Sequence, residues 1–392
     1  MKSLFNLNNT LPHDASQALL IGRVWVEGRG PVLVKVTPQE VQDLSPLAWT
    51  CSELLEMENL ASRVRDFTGE RLCDTEKLLR HSVESQRQAD TPWLMAPCDL
   101  QAIKAAGVTF VASMLERVIE EQARGDASKA LAVRAAVVAV IGDNLSKVIP
   151  GSPEAMKLKE VLIEQGIWSQ YLEVGIGPDA EIFTKSQPMS AVGTGANIGI
   201  HPLSQWNNPE PEIVLAVNSR GQTVGASLGN DVNLRDFEGR SALLLGKAKD
   251  NNGSCAIGPF IRLFDAHFGM DDVRRCDLSM QVHGDDGFVM QGESALRMIS
   301  RDPLDLVNQA IGPNHQYPDG FMLFLGTMFA PTQDRPIPGK PPGEGFTHCI
   351  HDVVTVSTPQ LGQLVNRVLT SDKVAPWTYG TRALLRDLAK RR

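Results

Sequence analysis

The spacing of hydrophobic positions changes several times along this chain, and each change marks a different kind of element. Residues 18–26 form an apolar run, followed by the turn Glu27-Gly28-Arg29-Gly30 and a second run at 31–36. The pair predicts a β-hairpin. Residues 52–65 and 74–88 mix polar and apolar positions at helical spacing. A proline-containing connection at 91–97 closes this small β-rich unit. Met114, Leu115, Val118 and Ile119 then recur one turn apart beside Glu116, Glu120 and Glu121, and an Ala- and Val-rich stretch at 130–141 continues the helical signal. Pro150 and Pro153 break it. From about residue 170 to about 370, short apolar runs alternate with Gly, Asn, Asp and Pro turns, which predicts a β-rich body. Residues 381–392 read as a basic surface helix. The expected organisation is a β-rich N-terminal domain at 1–96 and a larger domain at 97–392, with a helical insertion or lid region at 113–170.

Composition narrows this only a little. The 392 residues are 42% hydrophobic and 21% charged, ordinary values for a globular protein able to bury a large core. The formal net charge of -8 argues against a general nucleic-acid binder. Cys51, Cys73, Cys98, Cys255, Cys276 and Cys349 form no CxxC pair, so free thiols in a reducing cytoplasm are expected. The first residues lack the pattern of a signal peptide, and the longest apolar run, 135–141, is too short to span a bilayer. The expectation is a cytoplasmic protein with neither a nucleic-acid nor a membrane partner.

The most informative stretch is Pro209-Glu210-Pro211-Glu212 with the apolar run behind it. Strand periodicity puts Glu210 and Glu212 on one face. If Arg220-Gly221 is a two-residue hairpin loop, Asp231 falls opposite Glu210, and Gly229 falls opposite Glu212 and leaves room beside it. Three carboxylates so close repel one another, and a divalent cation relieves that. An all-oxygen set favours Mg²⁺, Mn²⁺ or Ca²⁺ over zinc. A Glu-x-Glu alone is more often the solvated face of an edge strand. The flanking prolines, the register and the polar run from Asp231 to Asp236 bring the two readings level.

These residues resemble the fumarylacetoacetate hydrolase family. The carriers are Pro209-Glu210-Pro211-Glu212, then Gly229-Asn230-Asp231-Val232-Asn233-Leu234-Arg235-Asp236, then Lys249 ahead of Gly258-Pro259, then Gly326-Thr327. Further similarity in Gly107-Val108-Thr109-Phe110, Glu181-Ile182-Phe183-Thr184-Lys185 and Trp206-Asn207-Asn208 is closest to the 2-keto-3-deoxy-D-arabinonate dehydratase branch. The resemblance implies an α+β fold with a mixed β-roll or β-sandwich catalytic domain. It implies Glu210, Glu212 and Asp231 as ligands of Mg²⁺ or Mn²⁺. It further implies Lys249 and Glu181 as catalytic groups, Thr327 as a holder of the substrate carboxylate, and a homodimer or homotetramer. Hydrolases of the family carry a His-x-x-Glu pair on a lid; here Glu116 falls at the Glu and Ser113 at the His, so the usual water-activating base is missing.

The implied activity is dehydration of a sugar acid, an aldonate or its 2-keto-3-deoxy derivative, in non-phosphorylative sugar catabolism. The alternative is C–C hydrolysis of an acylpyruvate or 2,4-diketo acid, with Glu181 or Glu116 and His348 as the replacement base. Lys249 would handle the carbon-bound proton, against the ordinary fate of a snorkelling surface lysine. Glu181 would protonate the leaving hydroxyl, or would merely pair with Lys185 on the same strand face. Arg235 would hold a substrate oxygen, or only neutralise Asp236 or Glu238. Lys185, Ser113 and His348 complete the candidate substrate contacts.

Overall fold

The computed structural model describes residues 1–130, 132–134, 148–164, 166, 168–329, 331–337 and 343–391. Most of the helical stretch expected at 130–141 lies outside the described residues.

The hairpin at the start of the chain forms as its pattern requires: Leu20–Val26 pairs antiparallel with Gly30–Val36. It belongs to an eleven-stranded sheet whose middle is built from distant parts of the chain. Leu20–Val26 pairs with Cys255–Leu263, Cys255–Leu263 with Thr223–Asp231, Thr223–Asp231 with Pro211–Val217, and Pro211–Val217 with Phe321–Phe324. Ala102–Ala106 and Ile182–Ser186 complete that side. The sheet therefore runs across the boundary expected at residue 96. The architecture is the expected α+β.

A second sheet of five strands lies over the first, with Asp277–His283 and Val353–Thr358 at its centre. Pro211–Val217 is buried at every position, because its two faces meet different partners. Ile213, Leu215 and Val217 belong to the same core as Leu278, Met280 and Val356 of the second sheet. Val214 and Ala216 belong instead to the core formed with Leu54, Leu55 and Val64 of the N-terminal helices. Each buried aliphatic side chain contributes about 1.5–3 kcal/mol of transfer free energy, so a strand buried on both faces is a rigid support.

Several helices are shorter than their patterns suggested. The stretch at 52–65 splits into Cys51–Leu55 and Leu60–Asp66, separated by Asn59 in the left-handed conformation. The stretch at 74–88 gives Thr75–Ser82 and a single 3₁₀ turn, Glu84–Gln86. Within the stretch expected as an insertion or lid, Val111–Gln122 is helical and ends before Gly125, whose φ is +71°. Pro153–Glu164 and Gln170–Ile176 are helical as well. The terminal segment forms the helix Thr381–Ala389. The six cysteines form no disulfide. Among the described residues no helix is long and apolar enough to cross a membrane.

Candidate functional site

The carboxylates sit at the base of the hairpin formed by Pro211–Val217 and Thr223–Asp231. Glu212 pairs with Gly229 and Pro211 with Asn230, which is the register that puts Glu210 opposite Asp231. The Asp231 amide donates to the Glu210 carbonyl at 3.0 Å. The turn differs from the expected two-residue loop. A bulge after Ala216 shifts the pairing to Val217 with Thr223, and the Asn218 amide closes the loop onto the Gln222 carbonyl at 3.0 Å. The bulge absorbs the extra loop length, so the register at the base survives. The space over Gly229 is also not free: a Cβ there would lie 2.3 Å from the Phe324 ring and 2.5 Å from Val214. Glycine at 229 admits Phe324, and a ligand gains no room there.

One carboxylate oxygen from each of Glu210, Glu212 and Asp231 falls within 4.8 Å of the others, and all three side chains are buried. Lys249, at the end of the helix Leu245–Lys249, donates to Glu210 and, at 3.1 Å, to Asp231. Lys185 lies 2.7 Å from the other Asp231 oxygen. Glu212 accepts from the Gly326 amide at 2.7 Å. That amide is presented by a residue at φ +96°, a conformation glycine adopts without strain.

The three carboxylates and Lys249 open onto a cleft that Glu181, Phe183, Arg117, Glu238, Tyr171 and Thr327 also line. Glu181 and Phe183, two residues apart, both face it, and Lys185, at a bulge in the pairing with Ala102–Ala106, turns to Asp231 instead. Lys249 Nζ lies 5.8 Å from the Phe183 ring centroid. Glu181 stands where a side chain on Gly107 would be, since a Cβ there would come within 1.9 Å of its carboxylate. The Thr327 hydroxyl donates to the Phe329 carbonyl at 3.0 Å, and its own carbonyl accepts from Ser113 at 2.6 Å.

Charge is out of balance here. Glu120, Glu181, Glu210, Glu212, Asp231 and Glu238 are gathered with Arg117, Lys185, Arg235 and Lys249, six carboxylates to four cations. The carboxyls respond as an excess of two negative charges demands. Burial, then the nearby Asp231 charge, pushes Glu212 well above the usual carboxylate range. Burial, then Glu238, raises Glu181 to about 7. Burial also raises Glu120. Asp231 goes the other way: burial opposes its charge, but Lys185 and Lys249 outweigh that and lower it. A divalent cation carries the charge that is missing, and three clustered oxygens suit a hard ion such as Mg²⁺ or Mn²⁺. The donor set fits such an ion.

Five expected site residues do not line the cleft, Lys185 among them, since it is fully buried against Asp231 and the carbonyls of Val232 and Lys249. Glu116 pairs with Arg134 and does not line the cleft. Arg235 opens the short helix Arg235–Glu238, which takes it out of the strand period. It turns to Glu120 at 3.2 Å and Asn208 at 2.8 Å and stacks on Trp206, so it neutralises neither Asp236 nor Glu238. His348 is buried in a separate network, its Nδ1 3.2 Å from Asp352, which also holds Arg335. Ser113 reaches the backbone of Thr327 and not the cleft. Conversely, Arg117, Glu238, Tyr171 and Phe183 line the cleft without having been singled out. Arg117 was legible: it lies one turn after Ser113 and three residues before Glu120, on one helix face.

No family model matches the chain. It is 27% identical over 194 residues to a 2-dehydro-3-deoxy-D-arabinonate dehydratase of Saccharolobus solfataricus, covering 50% of this chain and 60% of that protein. It is 28% identical over 207 residues to a probable 2-keto-3-deoxyxylonate dehydratase of Haloferax volcanii, covering 53% and 66%. Each match spans less than two thirds of the relative's length. A solved structure of 2-keto-3-deoxy-D-arabinonate dehydratase in its apo form superposes with a TM-score of 0.60 at 19% identity, over 90% of this chain and 99% of that one. The form complexed with magnesium and 2,5-dioxopentanoate gives 0.60 at 20% identity, over the same shares. These structures share the fold. With the two curated relatives, they bear out the resemblance to the fumarylacetoacetate hydrolase family near this dehydratase branch.

Proposed function

We propose that the chain is a divalent-cation-dependent dehydratase of a sugar acid, with a 2-keto-3-deoxy acid as the substrate that fits best, acting in non-phosphorylative sugar catabolism. One observation carries the reading: a buried trio of carboxylates, a lysine bridging two of them and a carboxyl that titrates near neutrality open onto a single cleft. Two curated relatives named as dehydratases of such acids support the substrate class.

Glu210, Glu212 and Asp231 would hold the cation. When bound, it supplies a positive centre that neutralises charge on substrate oxygens. The remaining work falls to the chain's own groups. Lys249 is assigned the proton on the carbon next to the 2-oxo group. Glu181 is assigned the departing β-hydroxyl, to which it gives a proton so that it leaves as water. The electron pair of the broken C–H bond becomes the new C=C bond, and the C–O pair leaves with the water. A group titrating near 7 suits that second role, because it is protonated often enough at neutral pH to donate. Thr327 and Lys185 are assigned to substrate orientation and to holding Asp231, respectively. The same reading takes the chain to be cytoplasmic, as its cysteine usage suggests, and a homodimer or homotetramer, as the resemblance implies.

The test is mass spectrometry of products after incubation with Mg²⁺ and a panel of sugar acids, 2-keto-3-deoxy sugar acids and acylpyruvates, with a chelator control. A chelator-sensitive product lighter by one water is expected from a 2-keto-3-deoxy acid. Two fragments that together gain one water, one of them pyruvate, would instead establish C–C hydrolysis.

A further inference from the structure

Glu210 is gripped on both oxygens by different elements. Its Oε1 accepts from Arg117 on the lid helix, and its Oε2 accepts from Lys249. Asp231 is held in the same manner, with Oδ1 facing Lys185 at 2.7 Å and Oδ2 facing Lys249 at 3.1 Å. Lys249 thus bridges one oxygen from each carboxylate, while Arg117 and Lys185 hold the other oxygen of each. Arg117 is itself fixed, by Glu120 on its own helix and by Glu238 at 3.4 Å. Its side chain is only 5% exposed. Burial opposes its charge, but Glu120 and Glu238 outweigh that and keep it protonated. A planar fork of donors can meet three carboxylates in different directions, which the single ammonium of a lysine cannot do in the same way.

We infer that Arg117 is a positioning residue for the cation site: by holding Glu210 Oε1 it aims Oε2 toward Asp231 and ties the lid helix to the cation ligands. The inference rests on the reading that Glu210, Glu212 and Asp231 bind a divalent cation. It makes a prediction opposite in sign to simple repulsion. If Arg117 only added positive charge near the ion, removing it would tighten binding. If it orients a ligand, removing it weakens binding, by about 10- to 100-fold as for other groups that orient metal ligands.

The experiment is a Mn²⁺ titration of the full chain followed by electron paramagnetic resonance, with amide exchange of residues 111–122 measured with and without Mn²⁺. The variants are Arg117→Lys, which keeps the buried charge but not the fork, and Arg117→Met. The expected result is about tenfold or greater weakening in Arg117→Lys and at least as much in Arg117→Met. Mn²⁺ should also slow exchange in the lid helix of the wild type and not in Arg117→Lys. Excess Mn²⁺ should change the bound-ion spectrum of Arg117→Lys to one distinct from wild type. Should Arg117→Met fail to fold, Arg117→Lys decides. Unchanged affinity in Arg117→Lys, tighter binding in Arg117→Met, or a lid indifferent to Mn²⁺ in the wild type would each overturn the inference. A wild-type chain that binds no Mn²⁺ would overturn the cation reading itself, and this inference with it.

Discussion

Gly107→Ala tests the role of Glu181 without touching its carboxyl. The three atoms nearest the added Cβ all belong to the Glu181 side chain, Oε2 at 1.9 Å, Cδ at 2.7 Å and Cβ at 2.9 Å. The carboxyl end of Glu181 must turn away, and its Cβ, at 2.9 Å, requires a small backbone adjustment as well. The backbone at 107 is not in the left-handed region, so the substitution carries no left-handed strain, and alanine also narrows the unfolded ensemble. Overpacking should still cost about 1–3 kcal/mol of stability. Activity should change more. If Glu181 donates the proton to the leaving hydroxyl, its displacement removes roughly 10²- to 10⁴-fold in kcat, or roughly 3–5 kcal/mol on the barrier. The assay is steady-state turnover of Gly107→Ala, Glu181→Gln and the double variant, with Mn²⁺ affinity and thermal melting as controls. Because both changes disable one group, the double variant should be about as slow as Glu181→Gln alone. A Gly107→Ala enzyme with wild-type kcat, beside a crippled Glu181→Gln, would refute the reasoning. So would two losses that multiply.

Three more outcomes follow from the same geometry. Glu212→Gln keeps an oxygen for the Gly326 amide and removes a carboxyl whose charged form burial and Asp231 disfavour, so the cation-free protein should melt no lower than wild type while Mn²⁺ affinity falls more than about tenfold. The pH profile should show the donor: Glu181, raised to about 7 by burial and by Glu238, is active while protonated, so kcat falls as pH rises through about 7, or lower with a cation drawing the value down. That limb should vanish in Glu181→Gln, and a limb identical in both proteins would remove Glu181 from the role. Asp352→Asn breaks the buried contacts to Arg335 and His348 and should cost about 3–5 kcal/mol at neutral pH, read by denaturant unfolding. Burial opposes the Asp352 charge, but His348 and Arg335 hold its carboxyl below the usual range. Its contribution is therefore complete above about pH 4 and is lost as pH falls through the lower folded value, so the gap between wild type and Asp352→Asn should close toward acid pH.

The hairpin that carries the carboxylates could be read from sequence because a strand has a period of two and the register needs only one turn to fix it. Even a wrong turn did little harm: the bulge at Val217 restored the pairing that a shorter loop would have given. Phase on a helix is less forgiving. Aligning Ser113 and Glu116 with a His-x-x-Glu pair points to the wrong neighbour, since the side chain that enters the cleft is Arg117, one residue on. The partners of Arg235 were hidden for a similar reason, a switch from strand to helix at that residue which apolar spacing does not announce. The continuity of the main sheet was beyond pattern reading altogether. It depends on Leu20–Val26 finding Cys255–Leu263 more than two hundred residues away, and nothing in the local spacing of either strand encodes that choice.

The identity of the lid residue also bears on which reaction the cleft can run. Hydrolysis of a C–C bond needs a base that takes a proton from water, and a guanidinium held protonated by buried carboxylates cannot be one. Among the described residues lining the cleft there is no histidine. His348 is occupied with Asp352 on another wall of the core. What the cleft offers instead is a carboxyl that keeps a share of its proton at neutral pH and a lysine set against the carboxylate trio. Elimination needs a proton delivered to a hydroxyl and one removed from carbon, with no water consumed. Under the proposed assignment Glu181 delivers the first proton and Lys249 takes the second. Arg117→His is the substitution that would challenge this assignment most directly. It returns an imidazole to the lid face of the cleft, and if C–C hydrolysis of an acylpyruvate then appeared while dehydration fell, the residue at 117 would be deciding the reaction as well as holding Glu210.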